Sequence, residues 1–432
     1  MKLSNRLQQL YSRIRPKEPV VIPPGMMHYL RETENGIARF HLRVERDGSG
    51  LLIANATALA RLTPSGVVIA KALLEERSKA EVLESLKTTF RGAAPDAMTN
   101  DIDSVNQLLQ QLTAPGDAYP VFNLDDIALA TNAAELIAPL QAALPLVPPD
   151  TLRPLLERLW EVGIPHVIFF APQNPNATDL VQAVERAEDL GMITGVRARA
   201  SDLLQEGLLN DLMVAGLDHV TFPYAALDAD LHDALFGAGD HQAADAVLAW
   251  LEENKLCANI EIPLVEATLP GLETMIHSLL DRGADNFSFV AYVTKDPALA
   301  GQHDGALDAD AMPQIATIVE ESAHDVQARF LWEPPVERNP AQTLAEQLQQ
   351  GPRCAGDVAV RVESDGCVIP PRGPYQSAGN LLQDSWDVIW NHDAFRRYRE
   401  RVEASTRCEL CPGLVICAAD CPRERSGWAQ KP

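Results

Sequence analysis

The chain has 432 residues, 46% of them hydrophobic and 22% charged, a composition typical of a folded protein with room for two to four domains. Its formal net charge of −24 would repel the phosphates of nucleic acids and an anionic membrane surface, so neither is expected as a partner. Nowhere do about 20 apolar residues follow one another, so no transmembrane helix is predicted.

The chain starts with a polar, basic segment and continues into a small predicted domain at residues 20–115. The start has no apolar run of the kind found in signal peptides, so we expect a cytoplasmic protein. Residues 40–55 read as two strands joined by a turn at Asp47-Gly48. Helical patterns follow from Pro64, Ser78 and Asp101. A hairpin followed by three short helices predicts a winged-helix-like domain.

Beyond a linker at residues 114–120, strand and helix patterns alternate through a second predicted domain, residues 120–335. Several helical patterns end at a glycine just before the next strand, as helix C-termini often do. Repeated β-α units predict an α/β protein with a parallel sheet and helices outside it. Six units would form a partial (β/α)6 TIM-like barrel, and a complete eight-unit barrel is the alternative. The predicted strands are residues 126–131, 166–171, 192–198, 219–224, 259–265 and 286–292.

The last predicted domain, residues 351–425, is a small extension that holds most of the cysteines. Its pattern indicates a hairpin, an amphipathic helix and a cysteine cluster, whereas Cys257 stands alone. The run Cys408-x2-Cys411-x5-Cys417-x3-Cys421 has a spacing typical of metal sites, and without an export signal disulfides are disfavoured. Four thiolates suit an iron-sulfur cluster or zinc equally well. The alternative is a set of reduced cysteines that bind no metal.

This extension resembles the SPASM domain of radical S-adenosylmethionine (SAM) peptide-modifying enzymes, which carries C-x(9–15)-G-x4-C, then C-x2-C-x5-C-x3-C, then a final cysteine. Cys354 and Gly366 fit the first half, but the second ligand position falls on Pro371, with Cys367 four residues earlier. The segment 379–390 is similar to the G-N stretch before the last helix of that family. No cysteine follows Cys421.

The resemblance implies two auxiliary clusters, neither with a full ligand set. Cys408, Cys411 and Cys417 would serve one cluster that lacks its last ligand. Cys354 and Cys421 would serve the other, with Cys367 as a substitute third ligand. We therefore expect at most one residual [4Fe–4S] or zinc site in the extension.

The predicted barrel resembles the radical SAM core, but the cofactor-binding positions differ. The segment from Thr131 sits where the family reads T-x-x-C-x-x-x-C-x-x-C, and the three cysteine positions are Ala134, Ala138 and Gln141. Methyl groups and a carboxamide cannot replace the thiolates of a [4Fe–4S] cluster. The family's G-G-E-P motif, which contacts the amino group of SAM, corresponds to Ala171, Pro172, Gln173 and Asn174. The resemblance therefore implies that SAM is not bound and that no catalytic residue remains.

The N-terminal domain resembles the small PqqD-like peptide chaperone of pyrroloquinoline quinone biosynthesis. That resemblance implies that a leader peptide binds as an added strand, and we expect it along residues 40–44 or 51–55. The alternative is a winged-helix domain with a packing role only. A DNA-binding role is disfavoured by the acidic composition.

Four further polar residues fall at the ends of predicted strands. His166 and His219 begin strands, opposite the catalytic end of a barrel, and we expect them to be hydrogen-bonded structural residues. Arg197 and Arg199 end a strand and could face the barrel mouth, although we expect them to form surface salt bridges.

Together these patterns predict a degenerate radical SAM/SPASM homologue without catalytic activity. It would act as a binding or scaffold partner in peptide or protein maturation. Its N-terminal domain would bind the peptide or protein, and an active radical SAM enzyme is a second expected partner. The alternative is a diverged maturase that uses SAM or the auxiliary iron-sulfur site.

Overall fold

The computed structural model divides the chain into two compact units, with the boundary between Gly116 and Asp117. No helix among the described residues is long and apolar enough to cross a membrane. The predicted strand at 126–131 and the cysteines from Cys408 onward lie outside the described residues. The structure describes residues 22–33, 36–55, 58–90, 94–112, 136–294, 305–308, 312–322, 328–333, 335–354, 359–371 and 375–395.

The N-terminal unit is a four-stranded antiparallel sheet followed by three helices. The strands pair in chain order: β1 (Gly25–Thr33), β2 (Gly36–Val44), β3 (Gly50–Ala54) and β4 (Ala58–Leu62). The helices are α1 (Pro64–Leu74), α2 (Lys79–Thr89) and α3 (Pro95–Leu112).

Local sequence signals explain where the first two of these helices begin. The Thr63 side chain accepts a hydrogen bond from the Gly66 N–H, with Pro64 in the first turn. Ser78 and Glu81 form a reciprocal capping box at the start of α2. The helix starts predicted at Pro64 and Ser78 are therefore confirmed, whereas α3 begins at Pro95, before the predicted Asp101.

The structure corrects the predicted strand edges of this unit. β2 pairs with β1 along its whole length, from Gly25 opposite Val44 to Thr33 opposite Gly36, and also pairs with β3. Residues 40–44 and 51–55 therefore belong to the two inner strands and cannot accept an added strand. Among the described residues, the outer strands of this sheet are β1 and β4.

The second unit is built on six parallel strands in consecutive order. They are β5 (Gln141–Pro145), β6 (His166–Phe170), β7 (Ile193–Arg197), β8 (His219–Pro223), β9 (Cys257–Leu264) and β10 (Asn286–Thr294). The helices between them are α4 (Pro149–Val162), α5 (Ala177–Asp189), α6 (Ala200–Leu203), α7 (Leu208–Val214), α8 (Ala229–Phe236), α9 (Asp240–Asn254) and α10 (Leu272–Leu280).

Short strands from the rest of the chain extend this sheet on both sides. β11 (Leu307–Asp308), β12 (Arg329–Trp332) and β13 (Val336–Glu337) pair with β10, and α11 (Met312–Ser322) lies between the first two in the chain. After α12 (Leu344–Gln350), β14 (Ala359–Val362) pairs in parallel with β5, and β15 (Val368–Ile369) pairs antiparallel with β14. α13 (Trp386–Trp390) follows. The order of the sheet has β11 at one end and β15 at the other, and these two strands do not pair with each other. The sheet is thus an open half-barrel and not the eight-unit alternative.

The two faces of the six parallel strands have different chemistry. Val167, Phe169 and Phe222 belong to the face that turns toward the crossover helices, and all three are fully buried. The opposite, concave face carries polar side chains, among them His166 and Glu261. The concave face of the half-barrel is therefore the more polar of the two.

Candidate functional site

A cavity of about 690 Å³ lies at the C-terminal ends of β5 and β6. This is the edge where barrels of parallel strands and helices gather their sites, and the volume is in the range of small-molecule and peptide pockets. Its walls are residues 145–146 and 170–173 from the strand ends, residues of the 346–353 segment, Arg361 from β14, and Tyr375.

Guanidinium groups stack on aromatic rings around this cavity. Arg197 and Arg361 each place the guanidinium carbon over the Phe170 ring, at 5.5 and 5.4 Å from its centroid. Arg353 lies 5.0 Å from the centroid of the Tyr375 ring. The Nε of Arg361 donates to Glu363 at 2.6 Å, and the Tyr375 hydroxyl donates to the same carboxylate. Aromatic faces and ion pairs therefore fix the arginine planes at the cavity wall.

Arg197 joins the end of β7 to the end of α12. It makes a bidentate ion pair with Glu261, with both N–O distances 2.7 Å, and both side chains are almost completely buried. The same guanidinium donates to the carbonyl groups of Leu348, Gln349 and Gln350. The expected surface salt bridge is therefore wrong for Arg197, because the chain covers this strand end with its own helix C-terminus.

Burial and the Glu261 carboxylate set the charge of Arg197 and of its neighbour Tyr292. Burial lowers the pKa of Arg197, but the charge and hydrogen bonds of Glu261 outweigh it, so the pKa is raised and the guanidinium stays charged. Burial also raises the pKa of Tyr292, whose hydroxyl has no hydrogen-bond partner among the described residues. Arg199 instead pairs with Asp202 at 2.8 Å and donates to the Phe236 carbonyl. Arg199 thus forms the expected ion pair, although its side chain is half-buried.

The predicted cluster positions lie away from the cavity. Gln141 opens β5 at the N-terminal edge of the sheet, and its amide lies 3.0 Å from His166 Nδ1. His166 Nε2 lies 2.8 Å from His219 Nε2, which confirms the expectation of hydrogen-bonded histidines. Ala138 is completely buried before the strand, and Ala134 lies outside the described residues.

These positions do not fit an iron-sulfur cluster. The loop that leaves the C-terminal end of β5 reads Leu146-Val147-Pro148 and contains no thiol. The first cysteine of the chain is Cys257, which begins β9. No cysteine can therefore reach a cluster from the first β-α unit.

Three of the four positions predicted to correspond to the SAM amino-group motif line the cavity. Ala171, Pro172 and Gln173 line it, and the Gln173 side chain donates to Gln349. The Asn174 N–H donates to Asp202 at 2.9 Å, and Asn174 has a positive φ of 49°. The structure therefore brings three of the four predicted positions together at one wall of the cavity. None of the three has a carboxylate side chain.

The described cysteines of the extension have different surroundings. Cys354 is completely buried and packs with Ala143, Ile168, Phe170 and Ala359. The Cys367 thiol donates to Asp365 at 3.3 Å, and Cys367 forms a β-bridge with Asn380. In the part of the chain that is described, no three His, Cys, Asp or Glu side chains form a candidate metal site.

A contact that the sequence pattern did not predict joins the extension to the start of the half-barrel. The Trp386 and Trp390 indoles stack, with centroids 5.9 Å apart. Their N–H groups donate to the Ile137 carbonyl at 2.8 Å and the Leu136 carbonyl at 2.7 Å. Two tryptophans four apart on a helix were the available signal, because a buried indole needs an acceptor.

Comparisons with known proteins show which sequences and folds this chain resembles. No protein-family model matches the chain. The PqqA peptide cyclase of Bradyrhizobium diazoefficiens is 24% identical over 288 residues, which cover 63% of this chain and 72% of that protein. Streptococcus suis SuiB bound to S-adenosylmethionine aligns with 91% of this chain and 95% of its own, at a TM-score of 0.52 and 14% identity. SuiB bound to its precursor peptide SuiA gives a TM-score of 0.51. The chain therefore has the fold of SuiB and is similar in sequence to a PqqA peptide cyclase.

Proposed function

We propose that this chain is a non-catalytic relative of radical SAM peptide-modifying enzymes and acts as a binding or scaffold partner in peptide or protein maturation. The observation that carries the proposal is the absence of any cysteine before Cys257. Without thiolates in the first β-α unit, the chain has no ligands for the cluster that would reduce SAM. Its similarity to a peptide cyclase and to SuiB supports the link to peptide maturation.

The buried contacts of Arg197 support the same proposal. Next to the ends of β7 and β9, the end of α12 lies against the pair formed by Arg197 and Glu261. A ligand that separated this buried ion pair would leave one charge alone, at a cost of about 3–5 kcal/mol. A cofactor in this position is therefore disfavoured.

We place the peptide partner on the N-terminal unit as an added strand. SuiB has been solved with a precursor peptide, which makes a peptide the first class of partner to test. β1 and β4, the outer strands among the described residues, are the positions where main-chain hydrogen bonds to an extended peptide would form. An active radical SAM enzyme is the second proposed partner.

The proposal is tested by asking whether the purified protein cleaves SAM. After anaerobic reconstitution with iron and sulfide and addition of a strong reductant, 5′-deoxyadenosine is measured by mass spectrometry. We expect no product above a control without protein, because no thiolate holds a reducing cluster. Enzymatic turnover above that control would overturn the non-catalytic assignment and leave the fold unchanged.

The cysteine run in the extension favours one second candidate, a diverged maturase that uses an auxiliary metal site. Cys408, Cys411, Cys417 and Cys421 retain a metal-binding spacing. An activity that depends on these four thiols and not on SAM cleavage would support that candidate.

A further inference from the structure

We infer that β1, and not β4, is the strand to which the peptide adds, and that the peptide places an apolar side chain beside Leu30. This inference rests on the proposed peptide-binding function and names the edge and the side chain that select the peptide. The occupant is an extended peptide segment without proline, paired with β1 through main-chain hydrogen bonds.

The main-chain groups of Leu30 turn to the outer side of β1. Leu30 lies opposite Arg39 of β2. The Arg39 N–H donates to the Asn55 side chain at 2.9 Å, and the Arg39 carbonyl accepts from the Asn55 N–H at 2.8 Å. Opposite residues of an antiparallel pair exchange either two hydrogen bonds or none, so Leu30 and Arg39 exchange none. The Leu30 N–H and carbonyl therefore point away from β2, to a side where the described residues form no further strand of this sheet.

The main-chain edge of β1 is longer than that of β4. Because the direction of main-chain groups alternates along a strand, Met26, His28 and Glu32 turn their N–H and carbonyl groups outward as Leu30 does. These residues belong to a strand of nine residues, whereas β4 has five. β1 also contains neither proline nor lysine, which commonly protect outer strands from added partners.

Exposed apolar side chains lie on one face of this edge. The Leu30 side chain is 62% exposed, and Ile37, its diagonal neighbour on β2, is 71% exposed. A strand added to β1 would place one of its side chains directly beside Leu30, and an apolar side chain there would bury Leu30 between itself and Ile37. The leucines of β4 differ, because Leu59 is half-buried and Leu62 is buried. The exposed apolar surface therefore accompanies β1.

The side chains on the opposite face of β1 already have partners within this unit. Arg31 donates to the Leu73 carbonyl at the end of α1 and lies 3.6 Å from the Glu76 carboxylate. The Tyr29 hydroxyl donates to the Met27 sulfur at 3.5 Å. The contact that selects the peptide therefore falls on the Leu30 face.

The test uses the full chain and blocked nine-residue peptides with Val or Ser at the central position, between varied flanking residues. Immobilised libraries identify binders, and fluorescence anisotropy gives their dissociation constants. We expect Val peptides to bind up to about fivefold more tightly than their Ser counterparts, which is the range of a cross-strand apolar pair. Methylation of main-chain nitrogens that face β1 should weaken binding about tenfold, and methylation at the alternate positions should weaken it far less.

Variants identify the strand. Leu30→Thr should remove most of the preference for Val, whereas Leu59→Thr makes the same change on β4 and should leave the preference unchanged. Glu32→Pro removes one outward N–H and should weaken every peptide about tenfold. Glu32→Thr removes the same side chain but keeps the N–H, so its effect should be small. Circular dichroism confirms that each variant is folded.

Hydrogen exchange locates the edge independently. With a bound peptide, exchange should slow in residues 25–33 and stay unchanged in residues 58–62. Protection of residues 58–62 alone, or a preference for Val that survives Leu30→Thr in a folded protein, would overturn the inference and leave the proposed function standing.

Two further outcomes would also overturn the inference. One is the absence of any peptide that prefers Val. The other is a dimer in sedimentation that Glu32→Pro dissociates, because the edge would then belong to a second copy of the chain. Turnover in the SAM assay, by contrast, would contradict the proposed function whatever the peptides do.

Discussion

Arg197 binds two parts of the chain that are far apart in sequence. The sequence places it at a strand end, and the structure adds the Glu261 carboxylate and three carbonyl groups at the end of α12. The sequence placed Arg197 at a strand end but did not predict its burial. The helix that covers it lies about 150 positions later in the chain. Such a contact cannot be read from one sequence.

The turn after α12 gives the sharpest test of this contact. Gly351 has a φ of +74°, and an added Cβ would lie 2.1 Å from Arg197 Cζ. We expect Gly351→Ala to lower the free energy of unfolding by more than about 2 kcal/mol, from backbone strain and from displacement of the buried guanidinium. Urea unfolding measures the loss.

Two other glycines separate strain from displacement. Gly239 has a φ of +83° with nothing within 4 Å of an added Cβ, so Gly239→Ala should cost only about 1–2 kcal/mol. Gly271 has a φ of −102° and open space, so Gly271→Ala should be nearly neutral. If all three variants lost the same stability, the close packing of Arg197 on Gly351 would be of no consequence.

At the scale of elements, hydrophobic patterning was a good guide where strands are apolar and flanked by clear turns. Five predicted strands agree with β6 to β10 to within two residues at each end. β5 was missed because Gln141–Pro145 is short, contains small residues and ends in proline. β1 was missed because its residues are mostly half-exposed and show no clean alternation. The peptide-binding edge was therefore placed on inner strands.

The contact between α8 and α9 predicts a pH effect on stability. Asp240 lies 3.2 Å from His232 Nε2 and accepts a hydrogen bond from the Ser201 N–H at 2.9 Å. Burial raises the pKa of Asp240, but the hydrogen bonds from His232 and Ser201 outweigh it and lower the pKa below its usual value. The carboxylate therefore stabilises the fold above pH 3.8, and this contribution is lost as the pH falls through the lowered pKa.

We expect Asp240→Asn to lower the free energy of unfolding by about 1–3 kcal/mol at pH 7, with a smaller difference from the unchanged protein at pH 3. Urea unfolding at both pH values checks the sign. Asp230→Asn makes the same charge change at an exposed position of α8 and should have little effect at either pH. A difference for Asp240→Asn that grew toward pH 3 would contradict this account.

At the scale of the whole molecule, the alternation of β-α units was enough to predict an α/β fold with an open parallel sheet. The chemistry of the extension is not settled by the same reasoning, because a cysteine spacing shows which ligands are near in sequence and not which metal they hold. The two-unit division and the half-barrel follow from packing, whereas the metal depends on four thiols outside the described residues.

Metal content gives the corresponding prediction. If Cys408, Cys411, Cys417 and Cys421 bind a metal, protein purified without oxygen should contain one iron-sulfur cluster or one zinc ion. Cys411→Ser should then lower the metal content and destabilise the extension, because structural metal binding contributes to folding. Cys257→Ala, a buried position at the start of β9, should leave the metal content unchanged. Protein with neither iron nor zinc would show that these cysteines are not a site.

The contact of Trp386 and Trp390 with residues 136–137 has a consequence for how the protein is made. The strand that follows these residues, β5, also depends on β14 for one of its two neighbours. The donor and acceptor of the Trp386 bond are 249 residues apart, which a ribosome takes roughly 10–50 s to synthesise. During that interval the first strand of the half-barrel has an open edge, a state that invites pairing with other nascent chains. The segment from residue 359 onward therefore completes the pairing of β5, so we expect a fragment that stops near residue 350 to aggregate and not to form a smaller folded protein.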